Sequence, residues 1–377
     1  MSDKEFGTTF EKFDLSPTVM EALKKCGYKK PTPIQEKAIP VLKNGRDLLG
    51  LAQTGTGKTC AYSLPLLDKL FKNKKKARPA RMRALILAPT RELATQIYGS
   101  LKKYGKGLAF SNACIIGGEG KKLQIRAMGK GVDILVATPG RLLDLIEEGH
   151  VLFNQLEFFV LDEADKMFDL GFIHDVKKII EKLPDEKQSA FFSATMSSEV
   201  VGLSKSFLKN SIEVEVDHKE GKIVQKVQFV EEGLKPVLLK KLLRKRSVKS
   251  ALVFTQTKNK ADRVVQNLEK AYIKAVSLHG DKTQEDRNRA LSLFKKGEVK
   301  VLVATDLASR GIDIPFVELV VNYDLPQNPE CYIHRIGRTG RAGKDGMSVS
   351  YFLKEEEQLL KNIEVYLNTS LEIKTNY

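Results

Sequence analysis

The chain has 377 residues, of which 42% are hydrophobic and 29% charged, a balance that is typical of a globular protein and excludes a disordered one. One compact core rarely extends over this length, so we expect two domains. The formal net charge of +16 favours a polyanionic partner, nucleic acid before membrane, although a solvated lysine-rich surface gives the same excess.

The sequence has no apolar run of bilayer length, and its first residues lack the apolar segment of a signal peptide. The four cysteines, Cys26, Cys60, Cys114 and Cys331, are scattered without a CxxC pair. This pattern argues against a zinc ribbon and a disulfide framework and favours a reducing compartment. We therefore predict a cytoplasmic protein with no membrane partner.

The N-terminal part predicts one capped helix followed by a stiff loop. Ser16 is a suitable N-cap, Pro17 fits the first helical position, and Gly27 ends the helix. The loop that follows contains two prolines and carries Tyr28 and Gln35. An aromatic ring can stack on adenine and an amide can pair with its edge, so the two residues are candidate adenine contacts.

The next segment, DLLGLAQTGTGKT (47–59), predicts a buried strand that runs directly into a phosphate-binding loop. Glycines turn the backbone so that its N–H groups face one cavity, Lys58 adds a positive charge, and the Thr59 hydroxyl can take part in Mg²⁺ coordination. Ala52 stands where the strict pattern has glycine, and a glycine-rich turn that binds nothing is the alternative. The predicted triphosphate contacts are Thr54, Gly55, Thr56, Gly57, Lys58 and Thr59.

From there, strand-like runs that are apolar throughout alternate with helical stretches, which indicates a parallel sheet covered on both faces. The predicted strands are Leu48–Ala52, Ala84–Ala88, Ile134–Ala137, Phe158–Leu161 and Ala190–Phe192. Polar clusters follow most of them, where α/β folds place their catalytic loops.

A second alternating series begins near Ile223 and has no phosphate loop. Its predicted strands are Ala251–Phe254, Val276–Leu278, Val301–Ala304, Leu319–Asn322 and Ser348–Phe352. The polar segment 217–222 between the series predicts a short flexible linker. The expected fold is therefore α/β, with two tandem parallel-sheet domains at 1–216 and 223–377.

Asp162 and Glu163 directly follow a predicted strand, as a Walker-B pair does. Asp162 would hold Mg²⁺ opposite Thr59, and Glu163 would orient and deprotonate the attacking water. Acidic residues also favour helix N-termini, which is the alternative explanation.

A cluster of one histidine and three arginines, HRIGRTGR (334–341), lies in the second series. It can supply an arginine finger to the γ-phosphate, a contribution of about 10³–10⁵ in rate, so hydrolysis would require the two lobes to close. Binding of RNA phosphates by the same cluster is the alternative.

Taken together, these segments resemble the DEAD-box RNA helicases of superfamily two, which fold as two RecA-like domains. The resemblance spans about Phe10 to Phe352, and the motifs occur in family order. They are GYKKPTPIQ (27–35), AQTGTGKT (52–59), PTREL (89–93), the pair Gly117 and Gly118, TPGR (138–141), DEAD (162–165), SAT (193–195), VFTQT (253–257), QEDR (284–287), ATDLASRGID (304–313) and HRIGRTGR (334–341). Ala52 is usual in the family, and the short chain resembles bacterial members of the RhlE type.

The resemblance implies ATP and Mg²⁺ as cofactors and assigns a role to each matching residue. Phe10, Tyr28 and Gln35 would recognise adenine, Asp313 would contact the ribose, and Arg338 and Arg341 would be the two fingers. Ser193 and Thr195 would couple hydrolysis to lobe movement through Asp165 and His334. The implied RNA contacts are Pro89, Thr90, Arg91, Gly118, Thr138, Arg141, Arg287 and Thr305.

The resulting hypothesis is an ATP-dependent RNA helicase that separates short duplexes or remodels ribonucleoprotein when its lobes close on RNA. An ATP-gated RNA clamp is the alternative, and the DEAD and GYKKPTPIQ motifs disfavour a DNA translocase. The expected partner is single-stranded or short duplex RNA, bound without sequence preference. Proteins of ribosome assembly or RNA decay are further candidate partners, and a monomer is the default.

Overall fold

The structure is a computed structural model and describes residues 9–53, 55–216, 222–231, 233–245, 247–306, 316–340 and 345–374. The chain divides into two compact units, Met1–Asp217 and His218–Tyr377. Each unit contains one seven-stranded sheet. Of the predicted linker 217–222, only Lys222 lies within the described residues.

In unit 1 every strand pair is parallel, in the order β3-β4-β2-β5-β6-β1-β7. The strands are β1 Leu48–Leu51, β2 Met82–Leu87, β3 Asn112–Ile115, β4 Val132–Ala137, β5 Phe158–Leu161, β6 Gln188–Ser193 and β7 Ile212–Glu215. The helices are α1 Pro17–Lys25, α2 Pro33–Lys43, α3 Lys58–Lys72, α4 Arg91–Tyr104, α5 Lys121–Met128, α6 Pro139–Glu147, α7 Ala164–Asp169, α8 Ile173–Ile180 and α9 Ser198–Phe207, preceded by a 3₁₀ turn at Phe10–Phe13.

In unit 2 the described strands are also parallel, in the order β10-β11-β9-β12-β13-β8-β14. They are β8 Ile223–Phe229, β9 Ala251–Phe254, β10 Ala275–Leu278, β11 Val301–Ala304, β12 Leu319–Asn322, β13 Gly346–Phe352 and β14 Ile373–Lys374. The described helices are α10 Lys235–Leu243, α11 Lys258–Glu269, α12 Gln284–Lys295, α13 Pro329–Ile336 and α14 Glu357–Leu367, with a 3₁₀ turn at Lys354–Glu356.

Alternate residues of each central strand belong to different apolar clusters. In β5, Phe158 and Val160 pack in one cluster, whereas Phe159 and Leu161 pack in another. Because successive side chains of a strand point to opposite faces, helices cover both faces of the sheet, as the continuous apolar runs predicted. The predicted α/β class with two parallel sheets is confirmed.

The strands missing from the sequence prediction lie at or near the sheet edges. β7 buries one of its four residues, and β3 alternates between buried and half-buried positions. A search for runs that are apolar throughout therefore finds the central strands and overlooks these. The first helix is confirmed, since α1 begins at Pro17 with Ser16 in the N-cap position, but the Ser16 hydroxyl bonds to Asp68 and does not cap the helix.

Asp324, at the carboxyl end of β12, joins three segments of unit 2. Its carboxylate accepts hydrogen bonds from the backbone amide N–H of Gln256 (3.0 Å), the Lys260 ammonium (2.9 Å) and the Lys235 ammonium (3.2 Å), and the residue is 1% exposed. Burial by itself raises the pKa of this carboxyl. The amide and the two ammonium groups outweigh burial and hold the pKa of Asp324 below its ordinary value.

We expect Asp324→Ala to lower the free energy of unfolding by about 3 kcal/mol at neutral pH, because the buried Lys235 ammonium then keeps only the more distant Glu356 carboxylate (3.7 Å) as an ion-pair partner among the described residues. Since the folded pKa is depressed, the carboxylate stabilises the fold above its unfolded pKa of about 3.9, and this contribution disappears as the pH falls through the folded value. Urea unfolding at a series of pH values measures the difference. The control is Asp281→Ala at an exposed position. If the loss of unfolding free energy in Asp324→Ala did not shrink in acid, the Asp324 carboxylate would not be its source.

Candidate functional site

The loops that carry the motifs of unit 1 lie at the carboxyl edge of the sheet, and the strand order places them in two adjacent groups. β5, β6 and β1 are neighbours, and they lead into the DEAD segment, the SAT segment and the phosphate loop. β3, β4 and β2 are also neighbours, and they lead into Gly117–Gly118, the TPGR segment and the PTREL segment. The predicted ATP contacts and the predicted RNA contacts therefore occupy two halves of one edge.

Gln35 contacts the phosphate loop directly. Its amide nitrogen donates to the Gly57 carbonyl (3.1 Å), and its amide oxygen accepts from the Thr32 N–H (3.0 Å). Gly57 has φ +98°, and a Cβ at this position would meet the Gln35 amide, so the loop conformation requires glycine here. Gln35 is 1% exposed, and sequence reasoning did not foresee its bond to the loop. Its role in reading adenine stays a prediction.

The aromatic residues Phe10 and Tyr28 are in contact with each other. The ring of Phe10 is 2% exposed and meets the Tyr28 ring edge-on, with a centroid distance of 6.3 Å. Tyr28 is 37% exposed, and its hydroxyl lies 2.9 Å from that of Tyr104. Phe10 thus supports Tyr28 by packing, and Tyr28 is the ring that remains accessible.

Among the predicted phosphate and Mg²⁺ contacts, two buried polar atoms have no hydrogen-bond partner within the described residues. They are Nζ of Lys58, the first residue of α3, and Oδ1 of Asp162, directly after β5. The other carboxylate oxygen of Asp162 accepts from the hydroxyl of Tyr62 (2.9 Å), a contact that the sequence did not indicate. Burial raises the pKa of Asp162, the nearby Lys58 charge opposes this shift, and Glu163 adds to it.

Buried polar atoms without partners are rare because each costs the free energy of its lost hydration. A phosphate oxygen would satisfy the Lys58 ammonium, and a divalent cation would satisfy the free oxygen of Asp162. Carboxylate and hydroxyl oxygens are the ligands that Mg²⁺ prefers, so this donor set, with Thr59 next to Lys58, fits that ion.

Glu163 has a backbone conformation that residues with side chains rarely adopt. Its φ is +54°, and the residue is 3% exposed. The carboxylate accepts a hydrogen bond from the ammonium of Lys166 (2.7 Å), which sequence analysis did not identify. Unfavourable backbone conformations of this kind concentrate at functional sites.

The DEAD and SAT segments are directly connected. The Ala194 N–H donates to the Asp165 carboxylate (3.2 Å), and the Ser193 hydroxyl donates to the Thr195 carbonyl (2.7 Å). The structure thus brings the three predicted coupling residues of unit 1 together.

In the second group of loops, two arginines converge on one turn. The guanidinium of Arg91 lies against Gly117 and Gly118, and Arg141 donates to the Glu119 carbonyl (3.1 Å). Thr90 and Thr138 are the N-caps of α4 and α6, and Pro89 precedes Thr90. The predicted RNA contacts of unit 1 therefore lie on adjacent loops.

In unit 2, His334 is exposed on α13, whereas Arg338, just after this helix, is buried. Arg287 and Thr305 are half-buried. The predicted residues Thr54, Asp313 and Arg341 lie outside the described residues.

Arg335 differs from the other arginines of its cluster. Its guanidinium makes two hydrogen bonds to the Asp306 carboxylate (2.6 and 2.7 Å), lies over the ring of Phe254 (5.0 Å) and is 2% exposed. Arg335 thus joins α13 to the end of β11. The sequence contains a usable signal, because Arg335 falls on the same helical face as the buried Cys331 and Tyr332.

Residues 32–203 match the family model described as DEAD/DEAH box helicase, and residues 234–343 match the helicase conserved C-terminal domain. The DEAD-box ATP-dependent RNA helicase CshA of Bacillus subtilis is 41% identical, over 94% of this chain and 72% of its own. This chain belongs to the DEAD-box ATP-dependent RNA helicases. RhpA of Helicobacter pylori, a helicase of the same description, is 39% identical over 97% of this chain and 74% of its own.

The solved structures agree with the family. Saccharomyces cerevisiae Dbp5 bound to RNA and ADP BeF3 matches with a TM-score of 0.82 and 31% identity, over 97% of this chain and 95% of that one. A DEAD box protein from Methanococcus jannaschii matches with a TM-score of 0.59 and 36% identity, over 97% and 99% of the two chains. The chain is thus an ATP-dependent RNA helicase with two RecA-like units. No helix in the described ranges is long and apolar enough to cross a bilayer.

Proposed function

We propose that this DEAD-box helicase binds ATP with Mg²⁺ at the phosphate loop of unit 1 and hydrolyses it when RNA is bound. The observation that carries this proposal is the pair of buried, unpartnered atoms, Nζ of Lys58 and Oδ1 of Asp162. Lys58 binds the β- and γ-phosphates, while Asp162 and Thr59 hold the ion. When bound, Mg²⁺ neutralises charge on the phosphates.

Glu163 is the proposed general base. Its carboxylate follows Asp162 in the chain and accepts the proton of the attacking water, while one of its oxygens also accepts a hydrogen bond from the Lys166 ammonium (2.7 Å). Arg338 and Arg341 of unit 2 stabilise the transferred phosphoryl group once RNA and ATP together cause the two units to close. Hydrolysis then reopens the units and releases the RNA.

The RNA is gripped through its sugar-phosphate backbone. Arg91 and Arg141 provide the charge, and both lie in the first turns of helices, where backbone N–H groups bind phosphate. Such contacts do not depend on base identity, so duplexes of any sequence are opened locally.

The four free cysteines of the chain support a cytoplasmic location.

Glu163→Gln should reduce RNA-stimulated ATP turnover by about 10²–10⁴, because the amide cannot accept the proton of water. ATP-dependent RNA binding should persist, since the shape and hydrogen-bonding capacity of the site are nearly kept. Steady-state hydrolysis with and without single-stranded RNA, together with RNA binding by fluorescence anisotropy, makes the comparison. Glu186→Gln, at an exposed position, is the matched control and should behave as the unmodified protein.

Equal turnover of the unmodified protein with and without RNA would contradict hydrolysis triggered by RNA. Tight ATP-dependent RNA binding with almost no turnover would instead identify the chain as an RNA clamp.

Tyr62→Phe tests the Mg²⁺ site separately from the chemistry. The change removes the hydroxyl that holds Asp162 at 2.9 Å but keeps the ring that fills the core. A lost hydrogen bond of about 1.4 kcal/mol corresponds to roughly tenfold weaker Mg²⁺ binding. Mg²⁺ titration of ATP hydrolysis should show this shift, with near-normal turnover at saturating Mg²⁺.

Tyr332→Phe removes a hydroxyl that is hydrogen-bonded to Gln225 (3.0 Å) on an equally buried tyrosine of unit 2, and it should leave the Mg²⁺ titration unchanged. Identical Mg²⁺ dependence in Tyr62→Phe and the unmodified protein would show that Tyr62 does not position Asp162.

A further inference from the structure

The loop between α3 and β2, residues 73–81, concentrates positive charge without any acidic residue. We call it the basic loop. The side chains of Lys74, Lys75, Lys76 and Arg78 are exposed and form no hydrogen bond or ion pair within the described part of the chain. By contrast, Lys121 on α5 pairs with both Asp144 (3.0 Å) and Glu148 (2.5 Å). The charge of the basic loop is therefore uncompensated.

A buried arginine holds the backbone of the basic loop in place. Arg83 is 2% exposed, and its guanidinium donates to the carbonyls of Asn73 (2.7 Å) and Lys75 (3.0 Å). Its Nε donates to the carboxylate of Glu157 (2.9 Å). The residues that follow α3 thus bond to the sheet although they form no helix or strand.

The second half of the loop packs tightly on the rest of unit 1. Ala80 has φ +62°, its N–H donates to the Met128 carbonyl (2.9 Å), and its carbonyl accepts from the Leu152 N–H (2.8 Å). Gly131 lies directly under the loop, where a Cβ would collide with the Arg78 carbonyl. A lysine-rich loop whose side chains are only hydrated needs none of these contacts, because hydration of the lysines does not require the backbone to be fixed. Here the cations are presented on a fixed scaffold.

The basic loop is far from the proposed RNA contacts of unit 1. It enters β2 at Met82, whereas Pro89 and Thr90 follow the other end of this strand. Six residues of β-strand span roughly 20 Å. RNA bound only at Arg91 and Arg141 therefore does not reach the basic loop, which is free to contact a further anionic segment.

We propose that the basic loop is a second RNA-binding surface, which holds phosphates of the RNA that flanks the segment bound at the carboxyl edge of the sheet. This inference rests on the proposed function, since it assumes RNA at that edge. Phe71, two residues before the loop, is 37% exposed, so its ring can stack on an unpaired base. Cations beside an accessible aromatic ring favour single-stranded RNA over an acidic protein surface.

The test compares two variants that each lose three lysines and one arginine. The loop variant combines Lys74→Ala, Lys75→Ala, Lys76→Ala and Arg78→Ala. The matched control combines Lys241→Ala, Arg244→Ala, Lys245→Ala and Lys249→Ala, which are exposed positions in unit 2. Fluorescence anisotropy measures affinity over a range of salt for two RNAs. One is a single strand just long enough to stimulate hydrolysis, and the other is the same strand with a long single-stranded extension.

Each neutralised phosphate contributes about 0.7 to the slope of log K against log salt, so four contacts contribute about 3. On the extended RNA, the slope of the loop variant should be shallower by this amount. Between about 50 and 200 mM salt, the unmodified protein should therefore lose affinity by a factor about fifty times larger than the loop variant does. On the short strand, the loop variant should match the unmodified protein in both affinity and stimulated ATP hydrolysis. The control variant should keep the full slope on the extended RNA.

Equal slopes for the loop variant and the control on the extended RNA would overturn the proposal and leave an acidic protein as the ligand of the loop. A slope lost equally on both RNAs would also overturn it, because the loop would then belong to the primary RNA path. If RNA fails to stimulate hydrolysis in the unmodified protein, the proposed function fails. The slope comparison needs no hydrolysis, so it judges the basic loop independently.

Discussion

Parallel pairing of the strands is the constraint on which the rest of unit 1 depends. Because β1 pairs in parallel with β6, and β5 with both β2 and β6, the loops that follow these strands all leave at one edge of the sheet. Antiparallel pairing would send neighbouring loops to opposite edges and separate Lys58 from Asp162. The helices that cover both faces make the parallel sheet stable, and the sheet in turn places the chemistry.

The site at this edge contains hydrogen bonds that fix its loops as well as buried polar atoms that make no hydrogen bond within the described residues. The Gln35 amide and the Tyr62 hydroxyl hold the phosphate loop and Asp162 in position, whereas Nζ of Lys58 and the free oxygen of Asp162 are buried without a partner among the described residues. Such atoms destabilise the protein without its ligand, and a bound nucleotide with its metal removes this cost. The strained backbone of Glu163 belongs to the same arrangement.

Charge is distributed differently at the two ends of the unit 1 sheet. At the carboxyl edge, Arg91 lies against two glycines and Arg141 makes defined hydrogen bonds, so both positive charges are held in fixed positions. At the amino edge, the basic loop exposes cations on a backbone that the buried Arg83 holds in place. The net charge of +16 therefore includes a cluster that the catalytic motifs do not use.

The sequence alone determined the features that depend on neighbouring residues. Continuous apolar runs specify buried central strands, Gly55 and Gly57 specify the phosphate loop, and the ordered motifs specify the family. Tertiary structure decided the contacts between distant residues, such as the bond of Tyr62 to Asp162 and that of Arg335 to Asp306. Their partners depend on which strands become neighbours, and no local pattern encodes that order. The exposed edge strand β7 was missed for a related reason, because a strand with little buried surface carries a weak apolar signal.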